Sequence, residues 1–353
     1  MSDKVPFSIK TFVGVFLCSL TLCVPISFPV KALHSAAETW VMAKAECVME
    51  LNSRRILYAS NADAPLPMAS TTKILTAATV LDECENIKER ITIPNEAEGV
   101  EGSSVYLKSG EEYSVEDLLY GLMLRSGNDC ATALALHFGE TIPNFSVKMN
   151  QTAEKAGALN SNFKNPHGLP CKNHYTTARD LSYITCYAMQ NPIFSEIVST
   201  EYYTPRFWKN KNKMLHLYDG GIGVKTGYTK EAGRCLVSAA KRDNMTLICS
   251  VLNCSTTYER SIKLLDDAFS VYRYETLLSK DDKFSFEEGK NTVEAYSKTN
   301  FSYPLLEEEK QFVEIKTVPD SKTIKRKESG EIIGQIEIYL AKQLIFSTNL
   351  YKL

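Results

Sequence analysis

The sequence predicts a mixed α/β (α+β) fold, with an antiparallel sheet flanked by helices, a helical lobe and a small C-terminal β-domain. Three patterns carry this prediction. Apolar residues recur at helical spacing after residue 73, two β-rich runs separated by a polar turn lie within residues 235–251, and residues 332–340 alternate between apolar and polar. We therefore expect one large domain of helices and strands, followed by strands alone.

The pattern at the N-terminus indicates an export signal. Lys4 and Lys10 precede an uncharged stretch over residues 11–30, which is typical of a secretory signal. Pro25 and Pro29 interrupt that stretch, so a cleaved signal is favoured over a spanning helix, with an uncleaved anchor left open.

Length and composition predict the domain organisation and the kind of partner. The 353 residues divide into a signal peptide over residues 1–32, a large domain over residues 38–275 and a small β-domain over residues 276–353. A formal net charge of −2, with scattered basic residues, gives no indication of a nucleic-acid partner. The five histidines form no metal-type cluster with Cys or acidic neighbours, so we expect no metal and no cofactor.

Eight of the ten cysteines lie beyond the signal. They are dispersed through a domain large enough to build its own core, and several stand in apolar runs where a thiol serves as a small hydrophobe. We expect mostly free thiols, although the sequence does not determine their redox state.

The first helix of the large domain carries an SxxK motif. Ser70 and Lys73 stand at the start of a strongly apolar helical run, so Ser70 is expected in the first turn of a buried helix. Because residues three apart share a helix face, the Lys73 amine should point toward the Ser70 hydroxyl. The alternative is that Ser70 only caps the helix and Lys73 is solvated. The motif is weak alone, since residues 161–164 also match it.

An SxN motif follows an amphipathic helix over residues 115–124. Ser126 and Asn128 separate that helix from an apolar run over residues 131–136. This placement predicts a turn between two helices of the helical lobe. Gly and Asn are ordinary residues in such a turn, which is the competing interpretation.

A KTG motif precedes the two β-rich runs. Those runs are separated by a polar turn at residues 243–244, which predicts an antiparallel meander. Lys225 and Gly227 should share one face of the sheet, and Gly227 would let a substrate backbone approach closely. The alternative is an ordinary edge strand whose Lys discourages aggregation.

In this order and spacing, the three motifs resemble those of the D-alanyl-D-alanine carboxypeptidases, the low-molecular-mass penicillin-binding serine peptidases. The resemblance covers residues 45–274 and implies a penicillin-binding/β-lactamase-like domain. Further matching signatures occur at residues 122–129, 165–170, 176–181 and 223–229. Two features depart from the pattern: Tyr228 stands where relatives carry His or Phe, and no amphipathic C-terminal helix is seen. The first leaves substrate preference and pH dependence open, and the second leaves the mode of membrane attachment open.

The resemblance implies acyl transfer from a peptide that ends in D-alanyl-D-alanine. Ser70 would be the nucleophile, Lys73 the general base and Ser126 the proton relay to the leaving amine. A nearby Lys225 cation and burial would lower the pKa of Lys73 toward that role. His167 is expected to pack or hydrogen-bond within its loop rather than act in catalysis, and Arg179 and Asp180 are expected to form a structural ion pair.

The same resemblance implies a set of substrate-binding residues. Asn128 would hold the substrate amide, and Lys225 and Thr226 would bind the terminal carboxylate. Gly227 would line the cleft, while the backbone N–H of Tyr228 would form the oxyanion hole with that of Ser70.

The implied partners are the peptidoglycan stem peptide and β-lactam antibiotics, the latter as covalent inhibitors. The protein would be exported, to the cell wall or the outer face of the cytoplasmic membrane. Two alternatives stay open: a β-lactamase-like hydrolase and a catalytically silent penicillin-binding wall module. The sequence does not separate carboxypeptidase from endopeptidase or transpeptidase action, nor a vegetative from a sporulation role.

Overall fold

The structure of the protein is a computed structural model that describes residues 43–288, 291–320, 324 and 327–353. The predicted signal peptide, residues 1–32, lies outside these residues. Within the described part of the chain, no helix combines the length and apolar character needed to cross a membrane.

Helices and strands alternate through most of the chain, and strands dominate its end. The helices are α1 Lys73–Glu83, α2 Val115–Tyr120, α3 Asn128–Gly139, α4 Ile142–Ala156, α5 Ala178–Met189, α6 Pro192–Ser199, α7 Met214–Leu217 and α8 Thr257–Val271. The strands before α8 are β1 Ala45–Glu50, β2 Ile56–Ser60, β3 Arg90–Thr92, β4 Glu112–Ser114, β5 Tyr202–Tyr203, β6 Trp208–Lys209, β7 Gly221–Thr229, β8 Gly233–Arg242 and β9 Met245–Leu252. The strands after it are β10 Arg273–Leu278, β11 Lys283–Glu288, β12 Asn291–Tyr296, β13 Phe301–Leu305, β14 Val313–Pro319, β15 Ile332–Leu340 and β16 Gln343–Lys352.

The central sheet has five antiparallel strands in the order β2-β1-β9-β8-β7. Strands β7, β8 and β9 form the predicted meander, and the polar turn at residues 243–244 joins the last two. Strand β7, which carries the KTG motif, is therefore an edge strand of this sheet. Gly227 of this strand packs against the turn that holds Ser70, as described below.

Both faces of the sheet are covered. Strand β9 is buried along its whole length, and its side chains alternate between two cores. Ile248 packs into the larger core with the helical lobe, together with Leu75 and Ile184. Leu247 and Leu264 belong to the second core, which α8 closes on the opposite face. A buried, doubly hydrogen-bonded ion pair, Arg260 to Glu46 at 2.7 Å for both contacts, ties α8 to β1.

The C-terminal residues form the predicted β-domain. Its main sheet has the order β11-β12-β16-β15-β14, and β10 pairs with β13 beside it. The alternating run over residues 332–340 is strand β15, whose buried side chains include Ile333 and Ile338. The predicted boundary at residues 275–276 falls inside β10. Arg55 joins the two regions, because it forms a bidentate ion pair with Glu309 and lies over the rings of two tyrosines.

All eight cysteines of the described residues are thiols rather than disulfides, as expected for cysteines used as small hydrophobes. Cys130 lies beneath the SxN turn and is fully buried. Burial, reinforced by the Asp129 carboxylate, raises the pKa of the Cys130 thiol well above its ordinary value. This thiol therefore packs the turn and is not poised as a nucleophile.

Candidate active site

Ser70 lies in a tight helical turn just before α1. Residues 69–72 form one turn of 3₁₀ helix, so the predicted first turn exists but is wound more tightly than an α-helix. The two middle residues of the motif hold it in place. The Thr71 hydroxyl donates to the Met68 carbonyl at 2.7 Å, and the Thr72 hydroxyl donates to the Ala69 carbonyl at 2.8 Å.

Lys73 is completely buried and has three polar partners. Its Nζ lies 3.0 Å from Ser70 Oγ, 2.6 Å from Asn128 Oδ1 and 2.8 Å from the His167 carbonyl oxygen. The amide and carbonyl oxygens can only accept hydrogen bonds. A charged ammonium could donate to all three oxygens, whereas a neutral amine can donate to these two and accept the proton of the Ser70 hydroxyl with its lone pair.

The electrostatics of Lys73 favour the same neutral form. Burial lowers its pKa well below the ordinary value for lysine, and the positive charge of Lys225 lowers it further. Asn128 is held in the orientation that this arrangement needs, because its Nδ2 donates to the Glu101 carbonyl. Its Oδ1 must therefore face Lys73.

The SxN motif forms the predicted turn between helices. Residues 121–125 continue α2 as one turn of π-helix, and α3 begins at Asn128. Ser126 lies between them in the left-handed region, with φ 63°, and only 7 % of its surface is exposed. A nonglycine residue in this region is typical of sites where the surrounding structure imposes the conformation. The structure thus brings Asn128 onto Lys73, with Ser126 two residues before it in the same turn.

Sequence reasoning missed the residue that supports this turn. Asp129 is almost completely buried, and its carboxylate accepts hydrogen bonds from Ser104 Oγ and from the backbone N–H groups of Val105, Leu107 and Cys130. It therefore fastens the segment before β4 to the start of α3. The sequence signal that could have identified Asp129 is the presence of an acidic residue in the first turn of the predicted helix.

The loop at residues 165–170 forms the floor under Ser70. A Cβ added to Gly168, which has φ +88°, would lie 1.9 Å from the Ala69 carbonyl oxygen, so only glycine permits this approach. It is the His167 backbone carbonyl that meets Lys73, while its imidazole Nδ1 accepts from the Leu169 N–H at 3.2 Å. The histidine side chain thus has the loop role expected of it. No Asp or Glu occurs in this loop.

The KTG strand forms the opposite wall. Only 2 % of the surface of Lys225 is exposed, so it is not a solvated edge-strand lysine that discourages aggregation. Burial lowers its pKa to about 7, and the positive charge of Lys211 contributes. A Cβ added to Gly227 would lie 3.1 Å from the Ser70 backbone nitrogen and 2.9 Å from the Met68 carbonyl oxygen. The next residue, Tyr228, exposes 64 % of its surface.

One predicted pairing is wrong. Arg179 does not pair with Asp180 but forms a two-point ion pair with Asp63, at 2.6 and 2.9 Å. Asp180 instead accepts from the Asn160 N–H and from the Ser161 hydroxyl. Adjacent residues at a helix start point in different directions, so neighbours in sequence do not readily pair. The hydrogen bond of Ser161 also shows that the second SxxK match is structural.

We expect the floor of the site to lose stability in mild acid. His174 Nε2 lies 3.1 Å from Thr72 Oγ1, and its Nδ1 accepts from the Lys164 N–H at 3.0 Å. Burial lowers the pKa of His174 to about 4 and that of His167 to about 3, from 6.5. The unfolded chain therefore binds more protons between about pH 6.5 and 4, and each histidine removes up to about 1.4 kcal/mol of unfolding free energy per pH unit lost.

Urea unfolding between pH 7 and 4.5 measures this dependence. The variant His174→Gln should show a shallower loss of unfolding free energy than the wild type over that range. Equal slopes in the two proteins would contradict the assignment, whatever their stability at pH 7.

Together, a serine hydrogen-bonded to a buried lysine, a second serine and a strand with a cationic residue are the arrangement of an active-site serine acyltransferase or hydrolase of the penicillin-recognising type. Comparisons with known proteins agree. Residues 32–256 match the family described as D-alanyl-D-alanine carboxypeptidase, and residues 272–353 match the C-terminal domain of penicillin-binding protein 5. The chain belongs to the D-alanyl-D-alanine carboxypeptidase family, the serine peptidases that its motifs resemble.

Individual relatives match over most of their length. The D-alanyl-D-alanine carboxypeptidase DacF of Bacillus subtilis is 30 % identical over 307 residues, which cover 83 % of this chain and 78 % of that protein. Penicillin-binding protein 5 of Haemophilus influenzae superposes with a TM-score of 0.72 at 27 % identity, covering 90 % of this chain and 98 % of that one. The Streptomyces K15 DD-transpeptidase superposes with a TM-score of 0.62 at 33 % identity, covering 67 % and 100 %. The fold class predicted from the sequence is thereby confirmed.

Proposed function

We propose that this serine-type carboxypeptidase removes the terminal D-alanine from peptidoglycan stem pentapeptides through an acyl-enzyme on Ser70. The observation that carries the proposal is the hydrogen bonding of Lys73. Its Nζ lies within hydrogen-bond distance of two acceptor oxygens and 3.0 Å from Ser70 Oγ, so a neutral amine that donates to the two oxygens would have its lone pair available to the Ser70 hydroxyl. Burial and the positive charge of Lys225 lower the pKa of Lys73, which favours the neutral amine that can act as a base for this hydroxyl.

The first step forms the acyl-enzyme. Ser70 Oγ bonds to the carbonyl carbon of the penultimate D-alanine as its proton passes to Lys73. The backbone N–H groups of Ser70 and Tyr228 stabilise the resulting oxyanion, a role supported by the close approach of Gly227 to the Ser70 nitrogen. The C–N bond then breaks as Lys73 returns the proton to the leaving amine through the Ser126 hydroxyl, and D-alanine departs.

Water completes the cycle. It attacks the ester carbonyl, loses a proton to the same lysine, and releases Ser70 and the shortened peptide. A β-lactam ring would open by the first step, but its amine stays attached to the acyl group, which supports long-lived inhibition. Efficient lactam hydrolysis as in class A β-lactamases uses a carboxylate to activate water. Here the loop that meets Lys73 presents a backbone carbonyl, and residues 165–170 contain no acid.

Selectivity for a free C-terminus would come from strand β7. Lys225 and Thr226 would bind the terminal carboxylate, and Asn128 would hold the substrate amide from the opposite wall. The family acts on peptidoglycan, outside the cytoplasm. For this chain we propose export by residues 1–32 and residence in the wall or on the outer face of the cytoplasmic membrane.

D-alanine release from an acylated peptide ending in D-alanyl-D-alanine tests this function. The wild type should release D-alanine, Ser70→Ala should not, and the C-terminal amide of the same peptide should react about 10- to 100-fold more slowly, because it lacks the charge that Lys225 binds. An added amine acceptor would reveal transpeptidation as a joined product. Absence of D-alanine release by the wild type would contradict the proposal.

The carboxylate site should also impose a pH limit on substrate binding. The pKa of Lys225 is about 7 and Lys211 contributes to lowering it, so Lys225 loses its charge above that pH and KM should rise. Lys211→Gln removes a positive neighbour, raises the pKa of Lys225, and should move the rise in KM upward by about half a pH unit. KM measured from pH 6 to 9 checks this. The control Lys213→Gln, an exposed lysine two residues away, should leave the profile in place.

A further inference from the structure

The wall that holds Asn128 continues into a surface loop with one conspicuously exposed aromatic residue. This rim loop, residues 98–107, contacts the site directly, because the Glu101 carbonyl accepts from Asn128 Nδ2 and the Ser103 carbonyl accepts from the Asn128 N–H at 2.7 Å. Gly102 packs so closely that an added Cβ would lie 2.7 Å from Asn128 Nδ2. The rim loop is therefore part of the cleft wall on the helical-lobe side.

The rim loop holds Tyr106 outward on a rigid base. The residues on either side of it, Val105 and Leu107, both donate their N–H groups to the buried carboxylate of Asp129, and the Leu107 side chain is buried. Tyr106 itself has φ 66° and exposes 82 % of its surface. A left-handed conformation is unfavourable for an aromatic residue, and an exposed ring contributes little to folding. Folding alone thus gives no reason for this arrangement.

The direction assigned to the substrate along β7 indicates which part of the peptide continues past the oxyanion hole. The terminal carboxylate is assigned to Lys225 and the reacting carbonyl to the N–H of Tyr228, three residues further along the strand. The peptide therefore runs from Lys225 toward Tyr228, and its earlier residues continue beyond the oxyanion hole. Asn128, which holds the amide of this acyl portion, is the residue to which the rim loop is bonded.

We propose that the Tyr106 ring is a subsite for the aliphatic side chain of the residue that precedes D-alanyl-D-alanine. This inference rests on the proposed function and names the part of the substrate that the rim loop recognises. The exposed ring face offers apolar surface to a chain of methylene groups, as a diamino acid provides, and a glycine at that position would gain nothing from it. Tyr106 is thus a specificity residue and takes no part in the chemical step.

Two peptides that differ only at this position test the subsite. The substrates are diacetyl-L-lysyl-D-alanyl-D-alanine and acetylglycyl-D-alanyl-D-alanine, compared by kcat/KM. Tyr106→Ala should lower kcat/KM about tenfold for the lysyl peptide and leave the glycyl peptide within about twofold, because one apolar contact is lost. Tyr106→Phe keeps the ring and should retain the wild-type preference. Glycine favours the left-handed backbone conformation at residue 106. If Tyr106→Gly loses the preference for the lysyl peptide to the same extent as Tyr106→Ala, that loss is not a folding defect.

Phe312→Ala, which removes another exposed aromatic ring in the C-terminal region, is the matched control and should change neither value. An equal loss on both peptides in Tyr106→Ala would mean that the residue only positions Asn128, and no loss on either would mean that the ring makes no contact. Either result overturns the subsite. Failure of the proposed function looks different, since the wild type would then release no D-alanine from either peptide.

Discussion

Replacing Lys73 with methionine is expected to slow acylation of Ser70 by about 10³-fold, the scale of a lost general base. The Lys73 amine lies 3.0 Å from Ser70 Oγ and is fully buried, so neither solvent nor another side chain can take its place in the contacts described. Methionine matches the length and apolar stem of the lysine while removing the amine. Stopped-flow acylation by a chromogenic cephalosporin, at a pH near 7 where part of Lys225 still carries its charge, measures the rate.

A second substitution separates base catalysis from positive charge. Lys73→Arg places at this position a cation that does not lose its proton in proteins, so it should be as inactive as the methionine variant. Lys88→Met removes an exposed lysine that pairs with Glu116 and should acylate at the wild-type rate. Retention of more than a tenth of the wild-type rate in Lys73→Arg would show that charge, and not proton transfer, is what Lys73 supplies.

Substituting Gly227 with alanine is expected to cost about 10² to 10³ in the acylation rate, the value of one oxyanion-hole donor. The new methyl group would lie 2.9 Å from the Met68 carbonyl oxygen and 3.1 Å from the Ser70 nitrogen. Both neighbours are backbone atoms of the Ser70 turn, so they cannot rotate away. Strand β7 must shift from that turn, and the N–H groups of Ser70 and Tyr228 then no longer converge on one oxygen.

The control for Gly227→Ala is a similar steric conflict far from the cleft. In Gly334→Ala the added methyl would lie 2.3 Å from the Val318 carbonyl oxygen, within the C-terminal sheet. It should lower the melting temperature and leave acylation by the cephalosporin unchanged. Acylation by Gly227→Ala at the wild-type rate would contradict the placement of the oxyanion hole between β7 and the Ser70 turn.

Local sequence spacing was sufficient for the parts of the site made within one element. Ser70 and Lys73 meet because residues three apart lie on one helix face. The antiparallel meander determines which side chains of β7 and β8 lie side by side. The same holds for the turn at Ser126, which two amphipathic segments bracket. In each case the relevant contact lies within a few residues or between consecutive strands.

Contacts between distant segments were not accessible in this way. The third partner of Lys73 is a backbone carbonyl at residue 167, and no side-chain pattern marks a carbonyl. Arg179 was assigned to its neighbour because its partner, Asp63, lies 116 residues earlier in the chain. Asp129 supports the rim loop from the far side of the SxN turn, an arrangement that depends on the packing of two loops and not on either one alone.

Ser70 is expected to be the residue that both the peptide and the antibiotic acylate. Mass spectrometry of the protein after exposure to benzylpenicillin, followed by peptide mapping, tests it most directly. We expect one penicilloyl adduct, located on Ser70, absent from Ser70→Ala and suppressed by an excess of the D-alanyl-D-alanine peptide. An adduct on another residue, or one that persists in Ser70→Ala, would contradict it.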